Sequence, residues 1–241
     1  MSDTLIALWV YMADSTLFWL GLTLVAYLAA AMVYQRSGGH PLLLPVLTAV
    51  IVIIGVLHYT QTPYLVYAER TSFLKFLIGP ATVALAVPLY GQLGRLKRLF
   101  WPILVALLVG SATAILSAIG IARFMGASLQ TQLSLAPKSA TMPIAMEVAG
   151  LSGGSPSLTT IAVAITGIAG AIMAGWLLKL LRLQDPEVEG FALGLGAHAI
   201  GTARAFQANE TAGAFAALGM GLNGIATAVL VPLILAVLAL L

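Results

Sequence analysis

Two cationic side chains and a histidine lie in stretches of the chain that are otherwise apolar and are broken by glycine or proline. Lys138 directly follows Pro137, and His198 and Arg204 lie on either side of Gly201. At membrane depth, backbone left unpaired by such a break is tolerated only where it lines a cavity or is buried in protein. The N–H groups at the start of a half-helix also favour an anion. These residue types in these surroundings therefore predict an anion-binding site.

Hydroxyl and titratable side chains accompany the two cations. Arg204 can hold a carboxylate through two parallel hydrogen bonds. His198 can donate to a substrate or carry a proton, and Glu147 is a second candidate for proton coupling. The predicted substrate-binding residues are Lys138, Ser139, Thr141, His198, Thr202, Arg204 and Thr82.

Each of these charged residues also has an interpretation that needs no ligand. Arg204 could extend to the lipid headgroups or pair with Glu210. Lys138 could anchor the chain at the membrane interface, and His198 could be an ordinary packed side chain. Residue type and spacing leave both interpretations open.

The composition places these residues in a membrane protein. Of 241 residues, 61% are hydrophobic and only 8% are charged, whereas soluble domains carry about 25% charged residues. The net charge of +3 fits basic loops at the membrane surface better than nucleic-acid binding, so we expect no nucleic-acid partner. The first residues lack the basic region of a cleaved signal peptide, so we expect the first apolar run to remain as a spanning helix.

No motif of an enzyme or a cofactor site is present. The sequence lacks cysteine, a metalloprotease helix, a nucleophile elbow and a P-loop, so we predict no enzyme, no cofactor and no metal. The segment 219–224 matches a dinucleotide-binding glycine pattern, but no strand precedes it. Its glycines therefore predict close helix packing.

Apolar runs of about 20 residues, the length that spans a bilayer, predict an all-α, polytopic protein with about seven spans. The segment 130–150 is too interrupted for an ordinary span and is predicted to be a broken or re-entrant element that enters and leaves on one side. The predicted spans are 16–34, 41–57, 76–90, 101–122, 156–181, 190–206 and 212–241.

A weak internal similarity suggests two related halves. The small-residue segments at 81–84 and 110–116 recur in the same order at 201–204 and 224–230. Interrupted helices in corresponding positions of two halves are typical of transporters built from an inverted repeat, with the substrate between the halves.

Three longer segments carry a resemblance to a known family. PATVALAVPLY at 80–90, PKSATMPIAM at 137–146 and AHAIGTARA at 197–205 resemble the LrgB/CidB family, as do residues 213–215. The resemblance runs from about residue 40 to the end, so the chain is predicted to be a single LrgB-like transmembrane domain, residues 1–241, with an N-terminal extension at 1–15.

The resemblance implies a multi-pass protein of the bacterial inner membrane that works beside a smaller LrgA/CidA-like protein, with a homo-oligomer as a further possibility. Two functions are associated with the family. One is a holin/antiholin-like regulator of murein hydrolase export and cell lysis. The other, through the similar half of the plastid glycolate/glycerate translocator, is transport of small 2-hydroxy or 2-oxo monocarboxylates such as glycolate, glycerate and pyruvate. Intramembrane cations favour transport by alternating access, since a regulator has no need of an anion site.

Overall fold

The chain folds into helices, and no strand occurs among the residues that the structure describes. The computed structural model describes Met12 and residues 14–238. The helices are α1 (Thr16–Arg36), a 3-10 turn (Pro41–Leu43), α2 (Pro45–Tyr59), α3 (Tyr64–Arg70), α4 (Ser72–Ala84), α5 (Ala86–Tyr90), α6 (Leu93–Arg98), α7 (Phe100–Phe124), α8 (Leu129–Leu135), α9 (Met142–Leu151), α10 (Pro156–Leu180), α11 (Pro186–Ala208) and α12 (Glu210–Val237).

The apolar helices confirm a polytopic helical membrane protein. Within the described residues, five helical stretches are long and apolar enough to cross a bilayer. Large apolar side chains cover their surfaces, including Leu17, which is 81% exposed, and Ile165, which is 62% exposed. Such a surface requires an apolar solvent. The five stretches are Thr16–Arg36, Ser72–Tyr90, Phe100–Phe124, Pro156–Leu180 and Glu210–Val237.

Two of the predicted spans take a different form. The run at 41–57 folds as the 3-10 turn followed by α2, a helix of 15 residues. The run at 190–206 lies within α11, which is interrupted at His198. Most of the predicted N-terminal extension, residues 1–11 and Ala13, lies outside the described residues.

The chain divides into two compact units, one up to Ala84 and one from Leu85 onward. In the first unit α1 packs on α2 and α3. The Trp19 side chain is fully buried there, with its ring edge-on to Tyr67, whose hydroxyl is 3.0 Å from Thr23 Oγ1. An ion pair between Arg70 and Asp14 adds to this packing.

Local capping explains where the helices of the second unit begin. The side chains of Ser155, Asp185 and Asn209 accept hydrogen bonds from backbone N–H groups in the first turns of α10, α11 and α12. Such caps satisfy donors that have no partner within the helix. Proline at the first position of α10 and α11 needs no such bond.

Helices α8 and α9 form a hairpin, which we call hairpin A (residues 129–151). The chain that leaves α9 returns beside α8: the Ser155 N–H donates to Ser134 Oγ at 2.7 Å, and Thr159 Oγ1 donates to the Ser134 carbonyl at 2.9 Å. Helices of seven and ten residues are each too short to span. The prediction of a broken element at 130–150 is therefore confirmed.

Helix α11 also reverses direction, at His198, and we call it hairpin B (residues 186–208). A Cβ at Gly201 would overlap the Leu193 carbonyl, a contact that an unbroken helix could not make. Before the break, Gly190 lies against Ala212 and Gly194 lies against Ala216, so this half of α11 runs parallel to α12. After the break, the residue numbers of α11 and α12 increase in opposite directions.

Contacts with α12 show that the second half of hairpin B runs antiparallel to it. A Cβ at Gly213 would overlap the Phe206 ring, and Thr202 Oγ1 lies 3.8 Å from Met220 Sδ. The two halves of α11 therefore lie side by side, and the predicted span at 190–206 enters and returns. The physical cause is the backbone of His198, whose φ of 40° and ψ of −130° are not helical.

Candidate functional site

Hairpins A and B approach each other from opposite ends of α10. Hairpin A lies beside the first residues of α10, whereas hairpin B follows its last residues. The first half of α11 is about 18 Å long, which is roughly half of a hydrocarbon layer of ~30 Å. The two tips, residues 136–141 and His198, therefore lie near the middle of the helices that surround them.

Asn223 of α12 joins the two tips. Its Nδ2 donates to the carbonyl of Ser139 at 2.8 Å, in the tip of hairpin A. It also donates to the carbonyl of Leu195 at 3.1 Å, one turn before the tip of hairpin B. Its Oδ1 accepts from Ser111 Oγ of α7 at 2.7 Å. One amide that is only 1% exposed therefore connects four elements.

His198 is held against the middle of α10. Its Nε2 lies 3.0 Å from the Val163 carbonyl, and its side chain is 4% exposed. A Cβ at Gly167 would lie only 2.5 Å from His198 Cε1, so the glycine provides the space that the ring occupies. Val163 also packs with Ala140 of hairpin A, which places both tips at the same level of α10.

Lys138 lies where the tips of the two hairpins meet, a position that we call the junction (residues 136–141 and His198). It occupies the tip of hairpin A, it is half-buried, and its charge is within electrostatic range of His198. Within the described residues the only ion pairs are Arg70–Asp14 and Arg95–Glu187. The Lys138 ammonium therefore has no carboxylate partner in this part of the chain.

The start of α9 directly follows the tip of hairpin A. Thr141 is its N-cap residue, but its side chain makes no capping hydrogen bond. A proline at the start of the helix removes one further N–H. The first turn of α9 therefore combines a partial positive charge with a hydroxyl that is not used as a cap.

Arg204 lies away from the tips. It is on the returning half of hairpin B, and its Nη2 would lie 2.9 Å from a Cβ at Gly175. Gly175 is about 12 Å farther along α10 than Gly167. Arg204 Nη1 is buried without a hydrogen-bond partner among the described residues, and the alternative ion pair with Glu210 is not formed.

The remaining predicted residues are distributed as follows. Thr202 is buried, and its hydroxyl donates to the His198 carbonyl at 2.9 Å, so it stabilises the bend of hairpin B. Ser139 lies in the tip of hairpin A and is 6% exposed, whereas Glu147 is exposed on α9. Thr82 belongs to α4, but its side chain lies outside the described part of the structure.

The structure thus brings Lys138, Ser139, Thr141 and His198 together. Arg204 lies beside Gly175, about 12 Å along α10 from Gly167. The structure also adds Asn223 and Ser111, which residue type and spacing did not identify as site residues. A lone amide within the apolar span of α12 was the available signal, since polar side chains inside spans usually bond across helices. No group of three His, Asp or Glu side chains suited to a metal ion occurs within the described residues.

Comparison with known proteins places the chain in a family. The family model described as LrgB-like matches residues 23–237. The chain belongs to the LrgB-like family. This match confirms the resemblance carried by the segments at 80–90, 137–146 and 197–205, and it extends over both compact units.

Several bacterial relatives are similar over nearly their whole length. The protein YxaC of Bacillus subtilis (strain 168) is 37% identical over 88% of this chain and 92% of its own length. Antiholin-like protein LrgB of Bacillus cereus (strain B4264) is 30% identical over 90% of this chain and 94% of its own. No solved structure matches the chain. The protein is therefore a multi-pass membrane protein of a family found in bacteria.

Proposed function

We propose that this LrgB-like protein is a secondary transporter of small 2-hydroxy or 2-oxo monocarboxylates in the bacterial inner membrane. The observation that carries the proposal is the meeting of two helical hairpins, entering from opposite ends of α10, at a half-buried lysine without a carboxylate partner among the described residues. Discontinuous helices that meet at mid-depth are typical of transporter sites.

The junction has the chemistry that a small carboxylate needs. Lys138 supplies a positive charge, and the uncapped start of α9 adds N–H groups and the Thr141 hydroxyl. An unpaired cation at this depth costs about 2.5–3.5 kcal/mol on insertion scales. A visiting anion offsets that cost, which gives a reason for the residue to be there.

His198 and Arg204 have separate roles in this proposal. His198 lies at the junction, where its ring can exchange a proton if transport is coupled to H⁺, with Glu147 on α9 as the next titratable group. Arg204 lies about 12 Å along α10 from Gly167. It is a second position for the anion on its way to or from the open end of hairpin B. Opening one hairpin at a time would expose the junction to one side and then the other.

Uptake into reconstituted vesicles tests the proposal. Labelled glycolate and pyruvate should enter with saturable kinetics. Lys138→Gln should reduce uptake at low substrate by about tenfold or more, because a hydrogen bond to a charged group contributes roughly 1.5–3 kcal/mol. Arg204→Lys should raise KM, since lysine cannot reproduce a bidentate contact.

A matched control comes from the same chain. Lys179 is exposed at the end of α10, so Lys179→Gln removes a positive charge away from the junction and should leave uptake unchanged. Equal leakage of unrelated dyes, unaffected by Lys138→Gln, would indicate a pore and would refute the transport proposal.

A second candidate is a holin/antiholin-like regulator of murein hydrolase export and lysis. The names of Bacillus relatives favour it, since these proteins are called antiholin-like protein LrgB. In this function the protein would act with a smaller LrgA/CidA-like membrane protein or as a homo-oligomer. The test is the time of lysis in cells with and without the chain: a regulator acting through assembly alone changes that time and keeps its effect with Lys138→Gln, whereas a transporter with no part in lysis leaves the time unchanged.

A further inference from the structure

Within the second unit, an apolar groove of about 400 Å³ lies between α7 and hairpin B. One wall is a single face of α7, with Leu99, Ile103 and Ala106, and the other is the first half of α11, with Phe191 and Leu195. The groove closes where α7 and α11 approach each other: a Cβ at Gly110 would lie 3.1 Å from the Leu195 side chain.

The length of the groove matches one half of a bilayer. From Leu99 to Gly110 the wall formed by α7 is about 16 Å long. Half of the hydrocarbon layer is roughly 15 Å deep. The groove therefore extends from the end of a spanning helix to mid-depth, which is the space that one acyl chain of one leaflet occupies.

Three basic side chains precede the residue at the outer end of the groove. Arg95, Lys97 and Arg98 form the last turn of α6, directly before Leu99. Lys97 and Arg98 are exposed and take part in no ion pair among the described residues. Basic side chains at the end of a groove between membrane helices favour the phosphate of an anionic lipid.

Two acidic side chains also line the outer end, and both are engaged. Glu187 lies 3.3 Å from Arg95 Nη1. Asp185 is the N-cap of α11, and its Oδ1 accepts from the Glu187 N–H at 2.9 Å. Their charges are compensated by a guanidinium and by a helix N-terminus, so Lys97 and Arg98 remain the charges available to a ligand.

We propose that this groove binds one anionic phospholipid, with an acyl chain between α7 and α11 and the phosphate on Lys97 and Arg98. The site is distinct from the hairpin tips and does not depend on the transport proposal. Because Leu195 lines the groove and its carbonyl accepts from Asn223, the bound lipid would contact the half of hairpin B that reaches the junction.

Native mass spectrometry of the purified full chain tests the proposal. The probes are phosphatidylglycerol and phosphatidylcholine, added in equal amounts to the detergent-solubilised protein. We expect retained phosphatidylglycerol to exceed phosphatidylcholine. Lys97→Gln and Arg98→Gln should each reduce that preference about fivefold, the contribution of one cation near an anionic surface.

A variant that fills the groove separates it from a general surface attraction. Ala106→Trp should abolish retention of the lipid, whereas Leu108→Trp, on the other face of α7 and 46% exposed, should not. Equal retention of the two lipids, or a preference that survives both glutamine substitutions, would overturn the proposal. So would a second polypeptide, or a second copy of this chain, that binds the groove and is displaced by Ala106→Trp while lipid retention stays the same.

Discussion

Replacement of Asn223 by leucine tests the central observation of the structure, the joining of both hairpins by one amide. The side chain is 1% exposed and makes three hydrogen bonds, to the Ser139 and Leu195 carbonyls and from Ser111. Bonds of this kind between membrane helices contribute about 0.6 kcal/mol on average. Asn223→Leu should therefore lower the free energy of unfolding by about 2 kcal/mol.

Denaturant-induced unfolding of the purified protein in detergent measures this change. A double-mutant cycle with Ser111→Ala isolates one of the three bonds, and we expect a coupling energy of about 0.6–1.7 kcal/mol. Thr227→Val is the matched control: Thr227 lies one turn farther along α12, it is 2% exposed, and it is outside the set of residues to which Asn223 hydrogen-bonds.

The outcome that would refute this reasoning is specific. If Asn223→Leu changes stability no more than Thr227→Val, and the cycle with Ser111 gives no coupling, then the amide does not hold the tips together. If stability falls as expected, the transport assay adds a further test. An unstable junction should reduce uptake of the labelled anion at saturation, because the tips must return to one arrangement in each cycle.

Substitutions at three positions test the geometry of hairpin B. Gly194→Ala should lower the free energy of unfolding by about 1–3 kcal/mol, because a Cβ there would overlap the Ala216 carbonyl. Gly196→Ala is the control: its Cβ would meet nothing within 4 Å, so it should be neutral or stabilising. Equal effects of the two substitutions on the free energy of unfolding would contradict the parallel packing. At His198, where φ is 40°, glycine should be more stable than alanine by about 1 kcal/mol, the reverse of the order in an ordinary helix; the usual order would show that the chain does not reverse there.

Local interruptions were the part of the fold that the sequence could predict. Pro137 and the surrounding polar residues identified the break in hairpin A, because proline cannot continue a helix and apolar flanks of seven to ten residues cannot each span. Long apolar runs likewise predicted α1, α7, α10 and α12. In these cases the determining interactions are local, so composition and spacing contain them.

The reversal at His198 could not be predicted in the same way. Its φ of 40° is a conformation in which glycine is expected. The sequence therefore predicted the interruption at Gly201, three residues after the residue at which the chain reverses. What stabilises the reversal is distant in sequence: the Val163 carbonyl, the space at Gly167 and the α12 backbone beside Gly194. Contacts of this kind have no signature in a single segment.

The separation of Arg204 from the tips follows from the same reversal. In a continuous helix, Arg204 would lie beyond His198 and could reach a ligand from the opposite side. Because the second half of hairpin B returns, Arg204 lies near Gly175, while Lys138 stays at the tips. The Lys138 and Arg204 side chains therefore do not form one carboxylate clamp: Arg204 lies beside Gly175, about 12 Å along α10 from Gly167, where the His198 ring packs. In the proposed transport cycle, an anion bound at either cation leaves the other unpaired, so the anion would occupy the two positions in turn along α10.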